Sequence, residues 1–374
     1  MITIFITNFF GTSGNKFLAE FRGRKSATDF ILVLKILFYG PIITLTLFSF
    51  CIYFNWNYIS DYLGISTQIA IPTIIYICTR SFYILLRRIF YGSGLVKSYT
   101  FNEIISDICM FLSLSFVCIT KQTSLLIHCY IISYLIFLIL SLKTLYQKIP
   151  KVIMNLENRF ENNRIKILKN FTKYGLISMI GTVASTGTGY LSLLIIGVYL
   201  SHSEAGIYSS AMAIISVLMF IPKLASQVLL PEFSKLFGEQ DKTQINILLR
   251  YSIKTLIVIA SFTTFTVFIF SNQIISLFGS DFETGDMILN IMLPSVFIRI
   301  ISIPFVTFLS GTKFIFYPNI GGIIILITTV ISWIFLVPEF KVVGIAFGYT
   351  IGIIIGIGFQ IYIAISKIKL FMSR

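Results

Sequence analysis

Long apolar stretches alternate with short polar connections along this chain, and ten of the stretches are long enough to span a bilayer. They fall at about 31–54, 65–86, 101–120, 124–146, 174–199, 206–231, 252–272, 288–309, 315–337 and 342–365. A membrane helix needs roughly 20 mostly apolar residues, and each stretch supplies them. Lys and Arg gather on every second connection. With the segment ahead of the first span placed inside the cell, 24 of the 29 basic residues lie on the inner side, and the outer connections hold only Lys121 and Lys341. The positive-inside rule then predicts a polytopic, all-α membrane protein with a cytoplasmic C-terminus.

The longest polar segment is internal, at 147–173. Val152, Leu156 and Phe160 recur every four residues within it, among Lys, Arg, Glu157 and Glu161. That spacing predicts a short amphipathic helix on the inner surface. It separates a first membrane half, 1–146, with four full spans, from a second, 174–374, with six. The outer connections are too short to fold into a catalytic domain. At the front, residues 1–12 are apolar but too few to cross, and they read as the end of a spanning helix or as an interfacial anchor.

A faint internal echo links the halves. Gly94, Lys97, Tyr99 and Asn102 follow the second span, and Gly311, Lys313, Tyr317 and Asn319 follow the eighth. Weak symmetry of this kind accompanies repeats in transporters. Glycines repeat every fourth residue at 344, 348, 352 and 356, and Gly181, Ser185 and Gly189 form a similar stripe. Such stripes let helices approach closely in lipid; a hinge, or backbone approach to a substrate, is the other reading. Pro41, Pro72, Pro222, Pro294 and Pro304 fall within spans and predict kinks.

Composition changes the picture little. Mean hydropathy is +0.90, and charged residues make 12% of the chain against about 25% in soluble domains. In a soluble protein a net charge of +14 would suggest nucleic acid. Here inner-side bias and anionic membrane lipid account for it, so no nucleic-acid partner is expected. The five cysteines lie in or beside spans and read as small core residues. There is no phosphate-binding Gly-Lys-Thr loop and no metal-spaced His or Cys set, so neither an enzyme nor a metal or cofactor is expected.

Ionisable residues inside spans carry the chemistry, because an unpaired charge in hydrocarbon is costly. Four stand out: Arg80, Asp107, Lys223 and Arg299. Arg299 lies about 18 Å along its helix from Gly311, too deep to snorkel easily. Lys223 and Arg80 lie roughly 12 and 10 Å from their inner ends and can partly snorkel. Arg80 either pairs with Asp107 on the next helix or meets substrate, and Asp107 is also a candidate for taking up a coupling proton. Three cations against one acid suit an anionic substrate, since guanidinium and ammonium both bind phosphate oxygens. Glu103 and His128, at span edges, read as ordinary interface residues. The many Tyr and Phe suit interfacial belts or a cavity that accommodates sugars.

The second half carries LLIIGVYL at Leu193–Leu200 with SHSEAGIYSSA after it, LPEFSKL at Leu230–Leu236, LFGSDF at Leu277–Phe282 and GIAFGY at Gly344–Tyr349. With these elements the chain, over about 175–365, resembles the polysaccharide-exporter branch of the multidrug/oligosaccharidyl-lipid/polysaccharide superfamily, the group that holds the O-antigen flippases. The resemblance implies two pseudo-repeated halves around a central cavity and twelve helices. About ten are full here, with Phe10–Arg24 resembling the end of the family's second helix, so one to two N-terminal helices are expected to be lacking. It further implies transfer of an undecaprenyl-diphosphate-linked oligosaccharide across the bacterial inner membrane, for O-antigen or another surface polysaccharide. Arg299, Arg80 and Lys223 would attract the anionic head group. Coupling to protons or sodium ions and a polysaccharide polymerase partner belong to the same expectation. A drug/cation antiporter of that superfamily is the alternative, and a membrane polysaccharide polymerase the third reading.

Overall fold

A computed structural model describes residues 2–63, 69–122, 125–157, 164–200, 202–279, 282 and 284–373. Among the described residues the apolar stretches are all helical, and the one β feature is an isolated bridge between Ser26 and Glu157. The helices are α1 (Ile2–Gly23), α2 (Ala27–Phe54), α3 (Trp56–Leu63), α4 (Ala70–Ser93), α5 (Val96–Thr120), α6 (Leu126–Met154) and α7 (Arg164–Tyr199). They continue with α8 (His202–Leu218), α9 (Phe220–Glu239), α10 (Lys242–Ile269), α11 (Ser271–Ser276), α12 (Gly285–Gly311) and α13 (Phe316–Ser373). Among the described residues, eight helical stretches are long and apolar enough to cross a membrane. One of these, α13, reverses at Lys341 (φ 47°) into two antiparallel arms, and α7 covers the remaining predicted span with 36 residues. The protein is a polytopic all-α membrane bundle.

Two compact units divide the chain, Met1–Leu176 and Ile177–Arg374. In the first unit α1 packs across α4 and α2. Phe17, Leu18 and Phe21 of α1 are buried, as are Leu85, Leu86, Ile89 and Phe90 of α4. Small residues set the approach: a Cβ at Gly92 would meet Leu18 Cβ at 2.9 Å and Asn15 O at 3.0 Å. The ring of Phe171, at the start of α7, lies 5.9 Å from that of Phe17. Where α1 turns into α2, Glu157 N donates to Lys25 O (2.8 Å) and Ala27 N to Glu157 O (3.1 Å), tying the end of α6 to that turn.

In the second unit the glycine stripe is packing. Cβ atoms at Gly344, Gly352 and Gly356 would meet Leu336 O (2.3 Å), Ile325 O (3.0 Å) and Gly321 O (2.8 Å). The two arms of α13 thus touch backbone to backbone. Trp333 Nε1 donates to Ile345 O (3.0 Å) and Gln360 Nε2 to Pro318 O (2.8 Å), which fixes the register of the hairpin at both ends. Gly181 of α7 receives the Asn319 side chain, while nothing approaches Gly189.

At the front, the apolar residues are helical from Ile2, and the helix continues to Gly23 as one 22-residue element. Three of its charged residues pair within the helix, with Lys16 Nζ 2.6 Å from Glu20 and Arg24 2.5 Å from the same carboxylate. Within 147–173, α6 runs through to Met154 and α7 starts at Arg164. Phe160 and Glu161 of that segment, and the Ser185 side chain, lie outside the described residues. Pro72 and Pro222 sit in the first turns of α4 and α9, where proline removes no helical hydrogen bond; Pro41, Pro294 and Pro304 are internal.

Candidate functional site

Spacing along α4 places Tyr76, Arg80, Tyr83 and Arg87 on one face, because steps of four, three and four residues follow the helical repeat. The opposite face of α4, with Ile74, Ile75, Cys78 and Phe82, lines an apolar groove against α2. The polar face meets two further stripes: Tyr99, Glu103 and Asp107 on α5, and Tyr130, Tyr134 and Phe137 on α6. From Tyr76 to Arg87 this ladder runs about 16 Å, roughly half the thickness of the hydrocarbon core.

The contacts alternate ring and charge. Arg80 is exposed; its Nη1 donates to Tyr76 Oη at 2.5 Å, and its guanidinium lies 5.6 Å from the Tyr76 ring centre. Tyr76 packs against Tyr130 and Tyr134 (6.2 and 6.1 Å), and Tyr83 against Tyr134 and Phe137 (4.9 and 4.7 Å). Tyr83 Oη donates to Glu103 Oε1 at 2.7 Å, and Arg87 Nη1 lies 3.8 Å from the same oxygen. Arg87 also stands over the Tyr99 ring at 5.3 Å. Asp107 is exposed, and both it and Arg80 lie within electrostatic reach of Tyr134. Two guanidiniums and two carboxylates leave the ladder electrically balanced.

This arrangement revises the reading of Arg80. Among the described residues it makes no ion pair with Asp107, and Tyr76 is its partner instead. Because α4 runs on to Ser93, Arg80 lies about 20 Å from that end of its helix rather than 10. Glu103 is not an ordinary interface residue: its side chain is 21% exposed and holds Tyr83 and Arg87 together. Arg87 is likewise more than an inner-side orienting charge. Sequence reading missed the three stripes because tyrosines near span ends look like interfacial belts, although the 4-3-4 spacing was visible.

In the second unit Arg299 lies midway along α12, between buried Ser295 and Ser302. It is half-buried, its Nε is enclosed with no hydrogen-bond partner, and it has no ion-pair partner among the described residues. Lys223 is exposed at the start of α9, just past the break at Met219. α9 continues through Pro231 to Glu239, so Lys223 lies about 24 Å from that end rather than 12. Gly94 and Gly311 both stand at turns joining consecutive helices, α4 to α5 and α12 to α13. With these glycines matched, Leu293, Phe297, Ile300 and Pro304 take the places of Tyr76, Arg80, Tyr83 and Arg87. The ladder is therefore a feature of the first unit.

Comparison with known proteins gives the fold a relative. The family described as MatE matches residues 178–338, less than half of the chain. A curated relative, the "Probable low-salt glycan biosynthesis flippase Agl15" of Haloferax volcanii, is 29% identical over 136 residues; these are 36% of this chain and 27% of the relative, so only about a quarter of that protein's length is matched. Among solved structures, MATE in the straight conformation superposes with a TM-score of 0.85 at 14% identity, over 100% of this chain and 86% of that one. An outward-facing multidrug resistance MATE family transporter of the MOP superfamily gives 0.86 at 13% identity, with the same coverage. A MOP superfamily transporter from Pyrococcus furiosus, described for the reverse polarity of its binding pocket, gives 0.80 at 15%, again over 100% and 86%. The fold is thus MATE-like.

Proposed function

We propose that this protein is a transporter that moves an undecaprenyl-diphosphate-linked oligosaccharide from the inner to the outer leaflet of the bacterial cytoplasmic membrane, by alternating access. The observation that carries the reading is Arg299, a half-buried guanidinium in the middle of a spanning helix with no ion-pair partner among the described residues. A charge in hydrocarbon without a partner is costly, and an anionic substrate supplies the missing counter-charge. Guanidinium donors match the paired oxygens of a diphosphate. Lys223 and Arg80 are assigned to the same substrate as further cations. The similarity to a glycan biosynthesis flippase supports this assignment.

Membrane lipid is the working medium, and protons or sodium ions are the proposed coupling ions, with Asp107 as the group that takes up the ion. A polysaccharide polymerase would consume the delivered units, in O-antigen or another surface polysaccharide, and the C-terminus would face the cytoplasm. A drug/cation antiporter is the second reading, favoured by the likeness to MATE structures. Against it stands Arg299, which has no ion-pair partner among the described residues.

The test is the fate of lipid-linked units in cells that depend on this chain. With Arg299→Ala we expect undecaprenyl-linked units to accumulate on the inner leaflet and surface polysaccharide to fall at least tenfold, the effect of losing about 1.4 kcal/mol or more. Normal surface polysaccharide in that variant would remove Arg299 from the transport path.

A further inference from the structure

The ladder on α4, α5 and α6 differs in chemistry from Arg299. Its two arginines are equalled in number by two acids, so the ladder as a whole carries no surplus charge, although Arg80 stays exposed and makes no ion pair among the described residues. It also offers no vacant cage to a cationic drug, because the Arg80 guanidinium already stands over Tyr76, and Arg87 over Tyr99. What remains open is a row of partly exposed tyrosine rings, Tyr76, Tyr130 and Tyr134, flanked by an exposed donor, Arg80, and an exposed acceptor, Asp107. Aromatic faces take the C–H faces of sugar rings, a carboxylate accepts from hydroxyl pairs, and a guanidinium donates to ring and hydroxyl oxygens. The rings are held at 6.1 to 6.4 Å from one another. Tyr134 is braced from behind by Tyr83, which Glu103 fixes through its hydroxyl. Such bracing leaves little side-chain entropy to be lost on binding.

We propose that this ladder is a glycan-reading platform, which binds the sugar portion of the substrate and sets which repeat unit is accepted. The proposal deepens the flippase reading and rests on it for the identity of the whole substrate, while the sugar contact is testable alone. Full-length protein in lipid nanodiscs is examined by saturation-transfer NMR against a panel of free neutral, amino-sugar and uronic-acid oligosaccharides. At least one sugar should saturate in the wild type. Tyr134→Leu and Asp107→Asn should each weaken that signal about tenfold, the scale of one lost stacking or charged contact, and Tyr134→Phe should retain it. Asp107 is exposed, so its variant keeps the test valid if Tyr134→Leu fails to fold.

No saturation of any sugar, or an unchanged signal in Asp107→Asn and a folded Tyr134→Leu, overturns the platform. Displacement of the sugar by tetraphenylphosphonium with the same variant profile overturns it too, in favour of a cation site. Binding of bare undecaprenyl diphosphate, measured beside it, separates the two readings. Sugar binding without diphosphate-lipid binding sinks the flippase while the platform stands. Diphosphate-lipid binding with no sugar response does the reverse.

Discussion

Replacing Glu103 by Gln should loosen the first unit by a measurable and specific amount. Glu103 accepts from Tyr83 at 2.7 Å and lies 3.8 Å from Arg87, with the two charged side chains 21% and 16% exposed. At that distance and an effective dielectric constant of about 20, the gross attraction to Arg87 is roughly 4 kcal/mol. Withdrawal of both charges from water offsets most of it, leaving about 1–2 kcal/mol for the pair. Gln keeps an acceptor for the Tyr83 hydroxyl, so Glu103→Gln loses only this term. Glu103→Ala also strands that hydroxyl, adding about 1–3 kcal/mol. For a unit of this size, 1–2 kcal/mol lowers Tm by about 2–8 °C. The assay is thermal unfolding of the detergent-solubilised protein, with a double-mutant cycle against Arg87→Gln. A coupling near 1 kcal/mol is expected; additivity within about 0.5 kcal/mol would show that Glu103 and Arg87 do not interact and would refute the reasoning.

Three further outcomes follow from the geometry. Gly356→Leu places a side chain where Cβ alone would meet Gly321 O at 2.8 Å; it should cost about 1–3 kcal/mol, read as a loss of folded protein on size exclusion, while Gly358→Ala, inside the same helix with nothing near its Cβ, should cost nothing and stabilise by up to about 1 kcal/mol. Lys341→Gly should stabilise the second unit by about 1 kcal/mol, because a positive φ of 47° with ψ −126° strains any side-chain-bearing residue; an unchanged or lower Tm would contradict this. Asn102→Leu removes a bond from its amide to Thr144 Oγ1 (3.1 Å), and since interhelical hydrogen bonds in membranes average about 0.6 kcal/mol, its Tm should fall by no more than about 3 °C.

The spans were legible because hydropathy and alternating basic connections are independent signals that agree. The reversal at Lys341 was legible too, from Pro338 and the polar gap around it. α1 was legible only in pieces, as an apolar end at 1–12 and a family-like end at Phe10–Arg24, since hydropathy counts Asn15, Lys16 and Glu20 against a membrane helix although Lys16 and Glu20 neutralise each other one turn apart. The four deep charges could be picked out singly, but their partners could not. Arg80 found Tyr76 on its own helix rather than Asp107 on the next. Glu103 looked peripheral because α4 and α5 extend beyond their apolar cores at the ends that join them. The ladder emerges only when three helices lay their stripes together, and pairing between helices is not written in any one of them.

The central claim is that a lipid-linked glycan, not a cationic drug, is carried. Its most direct measurement is reconstitution of the purified protein into proteoliposomes loaded with undecaprenyl-diphosphate-linked oligosaccharide on one leaflet, with translocation followed by lectin access to the other. Wild-type protein should move the glycan lipid and Arg299→Ala should slow it at least tenfold, with ethidium efflux absent from both. Ethidium efflux with no glycan-lipid movement would contradict the account and establish the antiporter in its place.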